Sequence, residues 1–182
     1  MNILSFDMGT KNTAVSLHSF ANNKLELLGT AMFPTITGLV DRDIGDSVHT
    51  FYQQVFKLCK RHKVDYVYAE RFQFRGAGIA IIEPINVMLG LICLAATRSG
   101  AQSRLITAST WKNNFNNNCC DLNAIYKEYG LTRVHSVKKD HELDSALIGV
   151  YTLCDVLGIK PFAGFDIDTY MDRFMSSPVL NV

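Results

Sequence analysis

The 182-residue sequence has no uninterrupted apolar stretch long enough to cross a bilayer: its longest run, Val87 to Ala96, falls far short of the roughly 20 residues a membrane helix needs. No basic segment leads into an apolar one near Met1, because Asp7 interrupts the first apolar segment, so no secretory leader is expected. The cysteines (Cys59, Cys93, Cys119, Cys120, Cys154) contain no Cys-x-x-Cys pair, are odd in number and include two neighbours that do not readily form two ordinary bridges. They read as reduced thiols of an intracellular protein, cytosolic or nuclear and not secreted. Net charge is nearly missing as well, with 18 Lys and Arg against 17 Asp and Glu. Disorder as the main state is excluded by 48% hydrophobic and 19% charged residues. This length supports one well-cored domain, with or without a tail, and not two substantial ones.

The small net charge hides a strong asymmetry. Residues 57–139 hold 13 basic and 5 acidic side chains (+8), and the remainder hold 5 basic and 12 acidic ones (−7). A basic middle between acidic ends is compatible with a nucleic-acid-facing surface that the average conceals.

Hydrophobic periodicity divides the chain into a strand-rich first part and an alternating remainder. Ile3 to Phe6, Thr13 to His18 and Leu25 to Phe33 are short apolar or alternating runs separated by Met8–Asn12 and by the turn Asn22-Asn23, predicting three consecutive antiparallel strands. Ile44, Val48, Phe51, Tyr52, Val55 and Cys59 recur at helical spacing, with Asp43 or Asp46 near the start as a cap. Val64 to Ala69 is a fourth strand running into Glu70, residues 79–97 form a helix apolar on nearly all sides, and Arg104 to Thr107 is a fifth strand. Ser109 to Lys112 starts a short helix, Asn113 to Cys120 reads as an Asn-rich loop, and Leu122 to Tyr129 is a further helix closed by Gly130. The last clear helix runs from His141 to about Leu157, with Leu143, Ala146, Leu147, Val150, Cys154 and Leu157 on one stripe. The expected architecture is α/β: a mixed five-stranded sheet with three leading antiparallel strands and helices on both faces. Its domain spans 1–157, followed by a tail over 158–182 with at most one short helix. The helix 79–97 is covered by a second copy of the chain or is a fully enclosed core helix.

Three acids stand where elements begin or end: Asp7 after strand one, Glu70 after strand four, and Asp144 in the first turn of the last helix. One carboxylate at a strand end is ordinarily a solvated turn residue. Two of them on strands that should be neighbours repel each other in a partly buried site, and a cation offsets that repulsion. His141, three residues before Asp144, shares its helix face, away from the Leu143–Val150 stripe. Asp140 caps the same helix. Three carboxylates and one imidazole, without thiolates, suit Mg²⁺ or Mn²⁺ better than Ca²⁺ or zinc. Two such ions activate water and stabilise the leaving oxygen in phosphodiester cleavage.

The segments ILSFDMGTKN (residues 3–12), VDYVYAE (64–70), Ser109-Thr110-Trp111-Lys112 and HELDSA (141–146) occur in the order found in RuvC-type Holliday-junction resolvases. The sequence resembles that family over roughly residues 1–157, most closely its viral, poxvirus-like branch. The resemblance implies an RNase H-like fold, a homodimer, and Mg²⁺-dependent symmetric nicking of four-way DNA junctions, with two ions per active site that Mn²⁺ can replace. It assigns metal binding to Asp7, Glu70, His141 and Asp144, with Asp140 as the alternative to His141, where many members have Asp. Lys112 matches a basic residue that the family keeps near the scissile phosphate, and Phe72 and Phe74 fall where it inserts an aromatic near the junction centre, unless they are core. Lys11, Arg71, Arg75, Lys138 and Lys139 are the expected phosphate contacts. The implied location is the cytoplasm, including viral replication sites.

Two other readings stay open: an RNase H-like or YqgF-like nuclease on other branched DNA or RNA, and a non-catalytic junction-binding module. The Asp-x-Gly-Thr of residues 7–10 also occurs in actin-like sugar kinases, but those carry two such lobes and this sequence has one copy of the motif.

Overall fold

A computed structural model of the chain describes residues 1–36, 44–71, 79–129, 140–158 and 165–181. The three leading strands are β1 (Asn2–Asp7), β2 (Asn12–Ala21) and β3 (Lys24–Pro34). Asn22 and Asn23 both take positive φ between β2 and β3, a conformation that asparagine tolerates better than most residues. Then come α1 (Ile44–Arg61), β4 (Tyr66–Arg71), α2 (Ile79–Ser99) and β5 (Gln102–Thr107). The chain continues through α3 (Ala108–Asn118), α4 (Leu122–Glu128), α5 (Asp140–Leu157) and α6 (Ile167–Ser176).

The strands form one mixed sheet in the order β3-β2-β1-β4-β5. β1 pairs antiparallel with β2 and parallel with β4, and β4 pairs parallel with β5. Alternation along each strand sends Leu4, Phe6, Val15, Leu17, Ala31, Phe33, Val67 and Ala69 to a core shared with α1 and α2. Tyr68 and Ile106 join the opposite core, built with Trp111, Phe115, Leu143, Leu147, Ile148 and Val150. The expected five-stranded α/β sheet with helices on both faces is therefore present.

Two segments differ from their sequence readings. Asn113–Cys120 is not a loop up to Asn118, because α3 continues through it. Thr107 caps that helix by accepting from the Thr110 N–H, and the i, i+4 pair Trp111 and Phe115 is fully buried. Burial of this pair outweighs the low helix propensity of the asparagines. Residues 165–181, expected as a tail with one short helix at most, carry one helix, α6, and what differs is that its Tyr170, Met171 and Phe174 belong to the α5-side core. The chain then returns to the edge of β3: the Thr30 N–H donates to the Pro178 carbonyl at 3.1 Å, and the Leu180 N–H to the Thr30 carbonyl at 2.8 Å. Gly29 makes that approach possible, since a Cβ there would lie 2.7 Å from the Pro178 carbonyl oxygen.

By length and composition alone, residues 82–99 of α2 could cross a bilayer. The uninterrupted run counted in the sequence is shorter because Glu83, Pro84 and Asn86 break the run without ending the helix. Its inner face, Ile85, Met88, Leu89, Ile92, Ala95 and Ala96, is packed into the core with α1 and the sheet, while Leu94 remains 47% exposed on the outer face.

Candidate active site

Parallel pairing aligns Phe6 with Ala69, so the next residues, Asp7 and Glu70, stand side by side at the C-terminal ends of two central strands. That end of a parallel pair is where α/β sheets build their sites. Asp7 is 4% exposed. The turn beyond it is pinned by Thr35, whose hydroxyl donates to the Gly9 carbonyl at 2.7 Å and whose N–H donates to the Lys11 carbonyl at 2.9 Å. Gly9 has no room for a side chain, because a Cβ would sit 2.1 Å from the Asn12 carbonyl oxygen.

The first turn of α5 faces these strand ends. His141 Nδ1 lies 2.5 Å from Asp7 Oδ2, and that hydrogen bond raises the imidazole pKa against the opposing effect of burial. Asp144, one turn along, is held by both oxygens: Lys112 Nζ is 2.8 Å from Oδ2, and the Tyr126 hydroxyl donates to Oδ1. The level of α5 on the sheet is set by hydrogen bonds behind the site. The Ser16 hydroxyl, 2.9 Å from that of Ser5, donates to the Ser145 carbonyl at 2.8 Å, and the Thr30 hydroxyl donates to Glu142 Oε1 at 2.8 Å. Further along, Gly149 lets the helix come down onto His18, whose ring atoms would be 2.4 Å from an added Cβ.

Glu70 receives its donor from α3. Trp111 Nε1–H bonds Glu70 Oε2 at 2.8 Å, and the indole carrying it is wholly buried. The next residue, Lys112, lies with its ammonium 4.8 Å from the Trp111 ring centroid while it reaches Asp144. Burial first, and then the negative charge of Asp7, push the Glu70 carboxyl up to about 7. The same two causes raise Asp144, with Lys112 opposing them. Burial works against the Lys112 ammonium, and Asp144 outweighs it, so its pKa lies above the ordinary lysine value.

The structure thus brings Asp7, Glu70, Lys112, His141 and Asp144 into one electrostatically coupled centre. Among the described residues no group of three or more His, Cys, Asp and Glu side chains is gathered as metal ligands. Each acid instead has its own donor: His141 for Asp7, Trp111 for Glu70, Lys112 and Tyr126 for Asp144. The donor set nevertheless fits a hard divalent cation. It offers carboxylate oxygens and one imidazole with no thiolate, and the burial and mutual repulsion that raise Glu70 and Asp144 are what such a cation offsets. Asp140, the first residue of α5, accepts from the His141 N–H at 3.1 Å.

Lys11 and Arg71 are exposed beside the strand ends. Phe72, Phe74, Arg75, Lys138 and Lys139 lie outside the described residues, as do Asp43 and Gly130. Tyr126 is a site residue that sequence reading misses, and Trp111 is one whose role it leaves open. The signal for Trp111 is adjacency, since a lone Trp directly before the candidate Lys112 falls on the same short helix. Tyr126 carries no such signal.

No family model matches the chain, and no curated protein sequence matches it. Solved structures do. The chain is similar to Thermus thermophilus RuvC at 16% identity and a TM-score of 0.65, covering 89% of this chain and 100% of that one. The T. thermophilus protein has also been solved in complex with a Holliday junction substrate. The yeast mitochondrial Holliday junction resolvase Ydc2 aligns at 18% identity and a TM-score of 0.52, over 81% of this chain and 75% of its own. The fowlpox virus resolvase, in complex with its substrate Holliday junction DNA, aligns at 17% identity and a TM-score of 0.50, over 86% and 99%. The fold is the RNase H-like fold of RuvC. Because the bacterial protein superposes better than the fowlpox one, the likeness does not single out a viral branch.

Proposed function

We propose that this chain is a structure-selective endonuclease that resolves four-way DNA junctions by metal-dependent hydrolysis, two copies each nicking one strand. The observation that carries this reading is the meeting of Asp7 and Glu70, on adjacent parallel strand ends, with His141 and Asp144 on the first turn of α5, in a fold shared with proteins described as Holliday junction resolvases. Asp7, Glu70, Asp144 and His141 would hold the ions. When bound, divalent cations there lower the pKa of a water and stabilise a leaving oxygen, the chemistry a phosphodiester needs.

The chain's own side chains supply the rest. Lys112, half-buried beside Asp144, is within the centre and carries the positive charge that a scissile phosphate would meet. Lys11 and Arg71, exposed at the rim, are suited to neighbouring phosphates. The outer face of α2 around Leu94 is suited to a second copy of the chain, which junction symmetry would use. None of the five cysteines is bridged to another, which suits an intracellular setting.

The test is incubation of the purified protein with labelled four-way, Y-shaped and linear duplex DNA in Mg²⁺ or Mn²⁺. Paired symmetric nicks in the four-way substrate are expected. Equal nicking of linear duplex, or no metal-dependent cleavage of any substrate, sinks the reading. Asp7→Asn should abolish cleavage and keep junction binding in a gel-shift assay. His141→Asp should retain Mg²⁺-supported cleavage that His141→Ala mostly loses, and a fully active alanine variant would move the ligand role to Asp140. Light scattering should give twice the chain mass.

A further inference from the structure

Among the described residues, Asp144 is the acid of the centre with a donor on each oxygen, and the two donors differ in kind. Lys112 Nζ reaches Oδ2 from a side chain that is 37% exposed, on the open side of the site. The Tyr126 hydroxyl reaches Oδ1 from a partly buried ring packed against the α5-side core, where burial and the Asp144 charge push its pKa far up, so it stays a neutral donor. The two donors are tied to one another. The Leu122 N–H donates to Asn116 Oδ1 at 3.1 Å, and the N–H groups of Cys119 and Cys120 donate to the Phe115 carbonyl at 2.9 and 3.1 Å. Asp121 then caps α4, and its Leu122 and Ile125 are buried, which fixes the face that Tyr126 presents. Phe115, the anchor of this turn, packs edge-on against Trp111, the donor to Glu70.

We propose that Tyr126 is the positioning residue of this centre: its neutral hydroxyl holds Asp144 at Oδ1 while the charged partner Lys112 is the one that leaves Oδ2 for an incoming cation or phosphate. This rests on the functional reading above and adds a division of labour between the donors. A neutral donor loses nothing when a cation arrives, and by engaging one oxygen it leaves the other aimed at the ligand position. An ammonium on Oδ2 competes with the cation for the same lone pairs and is repelled by it. Since Lys112 and Trp111 are consecutive on α3 and Tyr126 is bound to that helix through the Asn116 turn, α3 and α4 set the carboxylates of Glu70 and Asp144 together. Outer-shell donors of this kind commonly decide metal affinity.

The two donors predict opposite effects, which a merely structural role does not produce. Mn²⁺ binding to the full chain without DNA is measured by electron paramagnetic resonance of the free ion, with thermal melting as the control for folding. Tyr126→Phe keeps the ring in place and should weaken Mn²⁺ binding about 10-fold. It should also raise the Mn²⁺ concentration needed for half-maximal cleavage while leaving gel-shift binding of the junction unchanged. Lys112→Met keeps the stem, removes the competing charge, and should tighten Mn²⁺ binding by up to about 5-fold, the scale of a partly exposed ion pair. Equal Mn²⁺ affinity in wild type and Tyr126→Phe overturns the assignment of Tyr126. Should Tyr126→Phe fail to fold, unchanged or weaker Mn²⁺ binding in Lys112→Met overturns the division of labour between the two donors instead. Wild-type protein that binds no Mn²⁺ overturns the functional reading and this inference together, whereas a wild type that binds and cleaves beside an indifferent Tyr126→Phe overturns the inference alone.

Discussion

On one face of the sheet, α1 and α2 pack through Phe51, Val55, Leu58, Ile85, Met88 and Ile92 against Leu4, Phe6, Val15 and Phe33, an interface of aliphatic, aromatic and sulfur-bearing groups. On the other, α5 meets the strands across Ser5, Ser16, His18, Thr30, Glu142 and Ser145, all buried. Apolar contact is non-directional, so the height of a helix held by it is set by side-chain interdigitation alone. Hydrogen bonds between buried groups are directional and costly to leave unmade, so they key a helix to one height. The keyed helix is the one that must deliver His141 and Asp144 to Asp7 and to the α3–α4 donors. The unkeyed pair serves stability and offers its outer surface.

That contrast can be broken from either side. The largest stability effect is expected on the apolar face: Ile92→Ala should cost about 3 kcal/mol in denaturant unfolding, yet leave cleavage per folded molecule unchanged. A loss of specific activity beyond the unfolded fraction would show that α2 also positions the site. Gly149→Ala, under α5, should cost about 2 kcal/mol because the new methyl meets the His18 ring, and here activity should fall further than stability as the helix is lifted. If activity simply tracks the folded fraction, the helix height is not what the seam controls.

Acid is a gentler probe of the same face. His18 is fully buried, its Nε2–H donates to the Tyr170 hydroxyl at 2.9 Å, and Tyr170 donates on to the Ala146 carbonyl at 3.2 Å. Its Nδ1 has no partner among the described residues, and burial lowers the pKa from 6.5 to about 3. The folded state therefore holds this ring neutral. Its contribution is complete above pH 6.5 and is lost as pH falls toward 3, by about 1.4 kcal/mol for each unit below 6.5. Between pH 7 and pH 5.5 the raised Glu70, Asp144 and His141 act in the opposite sense in any variant, so the effect is read as a difference: wild type should lose about 1.4 kcal/mol more stability over this interval than a folded His18→Phe variant, and equal pH dependence of the two would remove His18 from the account. The smallest effect is expected for Thr30→Val, which removes the bond to Glu142 at a cost of about 1 kcal/mol. A change of this size on the keyed face should still lower specific activity more than Ile92→Ala does.

Much of the fold is legible in residue order. The alternation of β1 to β3, the turn at Asn22-Asn23 and the helical spacing of Ile44 to Cys59 all survive in the structure, because each pattern is local and each is reinforced by burial of one face. The Asn113–Asn118 part of α3 is not legible, since its only helical signal is the pair Trp111 and Phe115, four residues apart, whose burial depends on helices from elsewhere in the chain. The docking of α6 into the core is hidden for the same reason. In the site, the acids stand out because a carboxylate closing an apolar strand is anomalous within its own segment. The donors do not, since Trp111 and Tyr126 are ordinary core-type aromatics until a carboxylate is placed against them.

Sequence by itself determined the strand and helix pattern, the placement of Asp7, Glu70 and Asp144 at element ends, and the separation of charge that a net value of +1 conceals. Tertiary structure alone decided which donor each acid takes, that Asp144 is held by both oxygens, and that residues 165–181 complete a core and reach the β3 edge. Periodicity is written in neighbours a few residues apart, whereas His141 and Asp7 meet across 134 positions and Trp111 and Glu70 across 41. Such pairings are chosen by packing, and only the folded chain specifies them.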